Sequence, residues 1–449
     1  MITSSVSLQL MTWMQPIAEL LAQDADFLSQ YKLVLVSGPL KRSSLNALCQ
    51  GARELHIPVL YTHSVGFYST FSLQLPPEFP IVETHPDPET TQDLRLLSPW
   101  PELIEAGARI NNLDSLDDHQ HGHVPYILLL LHYLEKWRAS HDGNVPSNYK
   151  EKTEFRELVK ASARVNNPEG GEENHDEAAA AVLKALNPFS LRSSLREIFE
   201  MEECRNLKPE SADFWVIASA INEFYQKHQV LPLPGSLPDM KAQSADYVAL
   251  QNIYKSKAKK DVEEVTGTVR RVESQLGSRA IAIPEKEIEI FCKNAAHIKV
   301  VHGRDIPQLD QADAHMFKTI RNNLGFPETL IPIFLATQIL DAIVTDIQEG
   351  KRASGSIDGD AVWTAQIDRV ANAIRGEDPT VINEDVLQRI IEATQELRRS
   401  EGGELHNISA LAGGLVAQEA LKVITRQYVP LDNTCVFDGV RSRSEMYKL

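Results

Sequence analysis

Residues 406–439 read HNISALAGGLVAQEALKVITRQYVPLDNTCVFDG, a helix followed by a β-hairpin. Leu411, Leu415, Leu421 and Ile424 recur at helical spacing and give apolar bulk to adjoining faces. Ala410, Gly413, Gly414 and Ala417, with Gln418 beside them, share another face. A face so poor in side-chain bulk is expected to pack, because a second backbone approaches it closely: the sheet of the same subunit or a partner. Lys422 and Arg426 stand toward the C-terminal end of the helix, where its dipole favours cations. Asp432-Asn433 is a turn signal, so residues 428–431 and 434–437 are expected to pair as the hairpin.

The rest of the chain is long enough for company. Its 449 residues predict two or three domains. With 43% hydrophobic and 24% charged residues, the composition is that of an ordinary globular protein with a substantial core. A formal charge of −17 argues against broad nucleic-acid binding, which needs a basic surface, and suits protein partners that carry basic patches. The longest apolar run, residues 124–131, is interrupted by Pro125 and falls far short of the roughly 20 residues of a membrane span, so no membrane association is expected. Lys32 is the first basic residue, which fits neither a secretory signal nor an Arg-rich transit peptide. Cys49, Cys204, Cys292 and Cys435 lie 155, 88 and 143 residues apart, with no CxxC pair, so no zinc site is expected. Sparse cysteines fit a reducing compartment, cytoplasm and nucleus.

Three parts follow from the pattern: residues 1–115 as an α/β segment, 116–325 as a helical insertion, and 326–449 as a return to the first domain. Leu33-Val34-Leu35-Val36 is apolar throughout and reads as a strand covered on both faces. A helix over 44–55 and a strand over 57–61 complete a parallel, right-handed βαβ unit. Further strands are expected near 67–73 and 80–83. Helices are expected over 125–137, 149–165, 176–186, 212–226, 244–276 and 284–296, then over 329–348, 360–375 and 383–399. Residues 166–174 are polar, acidic and Gly-rich and read as a mobile loop. Residues 350–359 also read as a loop.

The chemistry is marked by what is missing. Neither G-x-G-x-x-G nor G-x-x-x-x-G-K-[ST] occurs, and Ser37-Gly38-Pro39 is too poor in glycine to cradle phosphates. Cys292 sits mid-helix beside Phe291 and reads as core despite Lys293 next to it. Glu202 and Glu203 oppose a thiolate at Cys204; Cys49 has no activating base, and Cys435 alternates with apolar strand residues. His119, His121 and His123 form an H-x-H-x-H run that a metal could use, although it leads straight into the Pro125 helix and reads better as loop and cap. Lys255, Lys257, Lys259 and Lys260 read as a solvated helix face, with partner docking as the alternative.

A specific resemblance is carried by several short stretches in order. They include Val82-Glu83-Thr84-His85-Pro86-Asp87, Asp93-Leu94-Arg95-Leu96, Pro99-Trp100-Pro101-Glu102-Leu103 and His123-Val124-Pro125-Tyr126-Ile127. Tyr149-Lys150-Glu151-Lys152, Asp213-Phe214-Trp215, Leu233-Pro234-Gly235-Ser236-Leu237-Pro238-Asp239-Met240 and Leu250-Gln251-Asn252-Ile253-Tyr254 continue the series. Lys257-Ala258-Lys259-Lys260-Asp261-Val262 and Phe291-Cys292-Lys293-Asn294-Ala295-Ala296 close it before the terminal helix. Together they resemble the regulatory, non-catalytic subunit of the heterodimeric enzyme that activates the neddylation modifier, in the ubiquitin-activating enzyme superfamily. The terminal helix resembles those of the superfamily's adenylation domains.

The resemblance implies an α/β fold: an incomplete Rossmann-like (ThiF/MoeB-type) adenylation domain with a large all-helical insertion resembling the catalytic-cysteine half-domain. It implies no catalytic, cofactor or metal residue in this chain, with ATP and Mg at the catalytic partner. It implies an obligate heterodimer with that partner, meeting the modifier through the complex. The family begins with a further stretch bearing the first strands, and this chain starts after it, so an N-terminally shortened form with one open sheet edge is expected. Two alternatives stand beside the regulatory reading: an autonomous adenylating enzyme of the same fold, and a fragment that sequesters the catalytic subunit without supporting turnover.

Overall fold

The computed structural model describes residues 17–24, 27–110, 112–165, 171–277, 282–352, 359–376 and 381–449. It is a mixed α/β structure dominated by helices and divides into two compact units: the described residues up to Phe79 with Val300–Leu449, and Pro80–Lys299.

The first unit opens with α1 (Ile17–Gln23), β1 (Val34–Ser37), α2 (Arg42–Glu54), β2 (Val59–Val65) and β3 (Tyr68–Gln74). β4 (Glu78–Val82) leads into the second unit. There follow α3 (Pro101–Ala108), α4 (Asp118–His121), α5 (Tyr126–Ser140), α6 (Tyr149–Ala161), α7 (Glu173–Ala185), α8 (Ser193–Glu200), α9 (Glu202–Arg205), α10 (Asp213–His228), α11 (Ser244–Leu276) and α12 (Glu285–Lys293). β5 (Ile298–His302) leads back and forms a two-stranded sheet with β4. The first unit then closes with α13 (Ala314–Leu324), α14 (Ile331–Gln348), α15 (Asp360–Arg375), α16 (Glu384–Arg399), α17 (His406–Thr425), β6 (Thr434–Asp438) and β7 (Arg443–Tyr447).

The main sheet has the order β1-β2-β3-β6-β7. β1 and β2 are parallel, Val34 opposite Val59, joined through α2 as the βαβ pattern predicts. The other pairings are antiparallel, with Leu60 opposite Leu73, Thr70 opposite Val436 and Val436 opposite Glu445. β3 is buried at six of its seven positions, as a strand must be when both faces are covered. α14 lies against β3 and β6, and α17 against β2 and β3. Leu335, Ile339 and Ile343 of α14 join Ile374, Ile390, Leu397 and Val436 in one core.

Several expectations are corrected. β1 is not covered on both faces: it alternates, Leu35 is 56% exposed, and it is an edge strand among the described residues. The expected strand at 80–83 is β4, outside the main sheet. The hairpin is one strand further on, between β6 and β7. Residues 428–431 form no strand, because Glu419 Oε2 of α17 takes the Leu431 N–H at 2.8 Å. The turn is made instead by Asp438 Oδ1, which accepts from Val440 N at 2.9 Å and Arg441 N at 3.2 Å.

The insertion is also larger than 116–325 at its front and smaller at its back. Leu94, Leu96, Trp100 and Leu103 pack with Ile127, Leu134, Phe155 and Tyr254, so residues from Pro80 onward belong to the helical core. Met316, Ile320 and Leu324 of α13 pack with α14 in the other unit. Of the loop expected over 166–174, residues 166–170 lie outside the described residues, and Glu172 and Asn174 are buried rather than solvated. Residues 353–358 of the other expected loop also lie outside them.

Candidate partner interface

α17 is an amphipathic helix with its polarity of bulk inverted. Ile408, Ala412, Val416, Ala420 and Val423 recur at three- and four-residue spacing and are buried. Ala410, Gly413, Gly414, Ala417 and Gln418 are all exposed on the other side. A Cβ built on Gly413 or Gly414 would meet nothing within 4 Å. The small-residue face expected to pack is therefore open in this chain, and the β-branched and alanine face lies on the sheet. Leu411 (47% exposed), Leu421 (54%) and Ile424 (51%) surround the small residues, so the outward face is a floor of low relief with an apolar rim. Tyr428 and Val429 lie partly exposed just past the helix end.

The cations at that end are spoken for. Lys422 Nζ pairs with Glu419 Oε1 at 2.7 Å, and the Arg426 guanidinium lies 4.9 Å above the Phe79 ring. α14 and α17 both have the length and mean hydropathy of a membrane-crossing helix, although neither is an unbroken apolar run. α14 is buried among the core helices, whereas α17 keeps its outward face.

Burial governs the cysteines. It pushes the Cys49, Cys204 and Cys292 thiols up to about 12 and Cys435 to about 11, which disfavours the thiolate at all four. At the end of β1, Gly38 is demanded by a close approach: a Cβ there would lie 2.4 Å from the Tyr61 hydroxyl oxygen. Behind it, Tyr61 Oη donates to Asp341 Oδ2 at 3.5 Å, and His63 Nδ1 lies 2.9 Å from Asp341 Oδ1. That last contact is not a hydrogen bond, and both atoms are buried without a hydrogen-bond partner. Burial, and then the Asp341 charge, push the Tyr61 hydroxyl far up.

The histidine run does not act as a set. His119 and His123 lie ring to ring at a tilt, 4.2 Å between centres, while His121 turns inward and is buried. His121 Nδ1 lies 2.8 Å from Glu172 Oε1, and His175 Nδ1 lies 3.3 Å from Glu172 Oε2. Sequence reading missed this trio because Glu172 sits about fifty residues downstream in what reads as loop, with His175 just past its end. Their donor atoms are close enough to share a metal ion. The protons argue for a hydrogen-bond network instead: a metal on both Nδ1 atoms would move the His175 proton to Nε2, which is buried without a partner. As it stands, the trio ties α4 to the start of α7. The lysine run is likewise absorbed: Lys257 pairs with the buried Asp261, and Lys260 Nζ with Glu102 Oε1 at 2.6 Å.

No family model matches the chain. Among curated proteins, it is 32% identical over 438 residues to the NEDD8-activating enzyme E1 regulatory subunit of Xenopus laevis, covering 96% of this chain and 80% of that one. The same figures hold for the protein of that name from Danio rerio. With the Drosophila melanogaster protein of that name the identity is 32% over 440 residues, covering 96% and 78% of the two chains.

Proposed function

The chain belongs to the family of NEDD8-activating enzyme E1 regulatory subunits, and from that premise we propose that it acts in neddylation as the scaffold half of a heterodimer, docking its catalytic subunit on the outward face of α17. The observation that carries the docking face is the open pair Gly413-Gly414 inside an apolar rim on a helix whose other face is fully used. In the finer reading, the sheet with its β1-α2-β2 crossover is an incomplete Rossmann-like, ThiF/MoeB-type adenylation domain. The Pro80–Lys299 unit is then its catalytic-cysteine half-domain insertion. ATP and Mg belong to the catalytic partner in this reading, because the β1-α2 turn offers a single glycine filled by Tyr61 and burial suppresses every thiolate. The working compartment is cytoplasm and nucleus.

The test is modifier-dependent ATP–pyrophosphate exchange. The purified chain alone should give none and carry no reducible thioester, and addition of the catalytic subunit should produce both. Robust exchange by the chain alone would favour the autonomous enzyme. A tight complex without exchange would favour the sequestering fragment.

A further inference from the structure

The helical unit contains a cavity of about 420 Å³ that the subunit role does not use. Its charge runs against that of the chain. Arg95, Lys184, Arg192 and Lys293 line it, with Asp93 as the sole acidic wall residue among the described ones, in a protein whose net charge is −17. Asp93 is already neutralised, since Arg95 Nε donates to its Oδ2 at 3.0 Å. Arg95 also reaches the Leu231 carbonyl oxygen and so belongs to the frame of the cavity. Arg192 and Lys293 are different: both are exposed, and among the described residues neither enters an ion pair.

The same wall holds an unmet polar group. His297 is 5% exposed, and its Nε2 is buried with no hydrogen-bond partner. Burial, and then the positive charge of Arg192, hold its imidazole below the usual range, so the ring is neutral, and in the tautomer protonated at Nδ1 its Nε2 is an acceptor. A buried acceptor without a donor costs free energy that a bound donor would recover. The rest of the wall mixes neutral polar residues such as Thr91, Gln92 and Asn187 with apolar ones, Leu97, Leu191 and the 41%-exposed Phe189 among them. A concave site of this size that joins an apolar patch to convergent polar groups is built like a small-molecule pocket.

We propose that this cavity binds a small amphiphilic anion: an anionic head held by Arg192 and Lys293, a hydroxyl donor to His297 Nε2, and an apolar body against Leu97, Leu191 and Phe189. A phosphate monoester, whose monoanion carries its own hydroxyl, and a hydroxy-carboxylate share this chemistry. The site is built from the Pro80–Lys299 unit alone, whereas α17 belongs to the other unit, so its test is independent of the docking face.

The experiment is calorimetric titration of the full chain with phenyl phosphate, mandelate and inorganic phosphate. One or both amphiphiles should bind one to one with a dissociation constant below about 1 mM, and whichever binds identifies the head. Charge-assisted contacts of this kind imply a loss of roughly tenfold or more in Arg192→Glu, in Lys293→Glu and in the milder Arg192→Gln. These side chains are exposed, so circular dichroism melts of the variants should match the parent. No heat with either amphiphile overturns the proposal. So does affinity unchanged in the variants, and so does inorganic phosphate binding as tightly as phenyl phosphate, because the apolar body would then contribute nothing.

Discussion

Gly414 is a position where folding and association pull in opposite directions. A side chain there meets nothing within the chain, and leaving glycine in a helix interior costs about 1 kcal/mol relative to leucine. Gly414→Leu should therefore leave the melting temperature of the isolated chain unchanged or higher. Against a closely docked partner, the added bulk should cost about 1–3 kcal/mol, roughly tenfold or more in affinity. Co-purification and calorimetry with the catalytic subunit would read it; unchanged affinity would remove α17 from the interface. His175 is the second telling residue. Burial, opposed by Glu172 and aided by His121, holds its imidazole down at about 4, against about 6.5 when unfolded. Between those values the unfolded chain binds the extra proton, so stability falls as pH drops from 6.5 toward 4. Burial raises the Glu172 carboxyl, but the Arg164 N–H and His121 outweigh it and hold it low, which adds further loss in acid. His175→Phe keeps the ring and removes the titration. Its denaturation midpoints should slope less over that pH range, by at most roughly 3 kcal/mol across the whole range. Parallel pH profiles for parent and variant would refute this account.

Among the elements, α11 shows how a charge run becomes structure. Its 33 residues carry Lys255, Lys257, Lys259 and Lys260, followed by Asp261, Glu263 and Glu264. Only Asp261 of these is buried, at 1% exposure. Its Oδ2 accepts from Leu233 N at 3.0 Å and its Oδ1 takes the Lys257 ammonium, so one carboxylate holds the Pro-rich connector before α11 onto the helix. Asp261→Ala would leave a buried N–H without an acceptor and a half-buried ammonium without its partner. Because Lys257 is partly in water, the expected loss is about 2–3 kcal/mol rather than that of a fully buried pair. A urea melt of the full chain should show it, and Asp261→Asn should recover part of it through the Leu233 N–H. A melt indistinguishable from the parent would mean that the connector is held by packing alone.

Across the whole molecule, the cysteines are masked by burial and the β1-α2 turn is closed by Tyr61, while α17 keeps an apolar face in water, with Leu411, Leu421 and Ile424 exposed. An exposed apolar face of that kind is a thermodynamic cost until a partner covers it. Mixing with the catalytic subunit should therefore raise the melting temperature in a concentration-dependent way, as binding to the native state alone requires. No rise in the presence of excess partner would contradict the scaffold reading.

Local pattern was enough for the elements that one period explains. The helices over 244–276 and 360–375 have the limits their spacing predicts, and the β1-α2-β2 crossover follows from two apolar runs around a helix. The ordered motifs were enough for the family. What depends on partners distant in sequence was beyond that reach. The hairpin moved because Glu419 captures Leu431 N–H, and Glu172 left its apparent loop because His121 and His175 enclose it. The helix spacing of α17 says which residues share a face, but two faces of one helix can both be apolar. Which of them meets the sheet is decided by how Ile408, Val416 and Val423 fit against β2 and β3, and that fit exists only once the strands have paired.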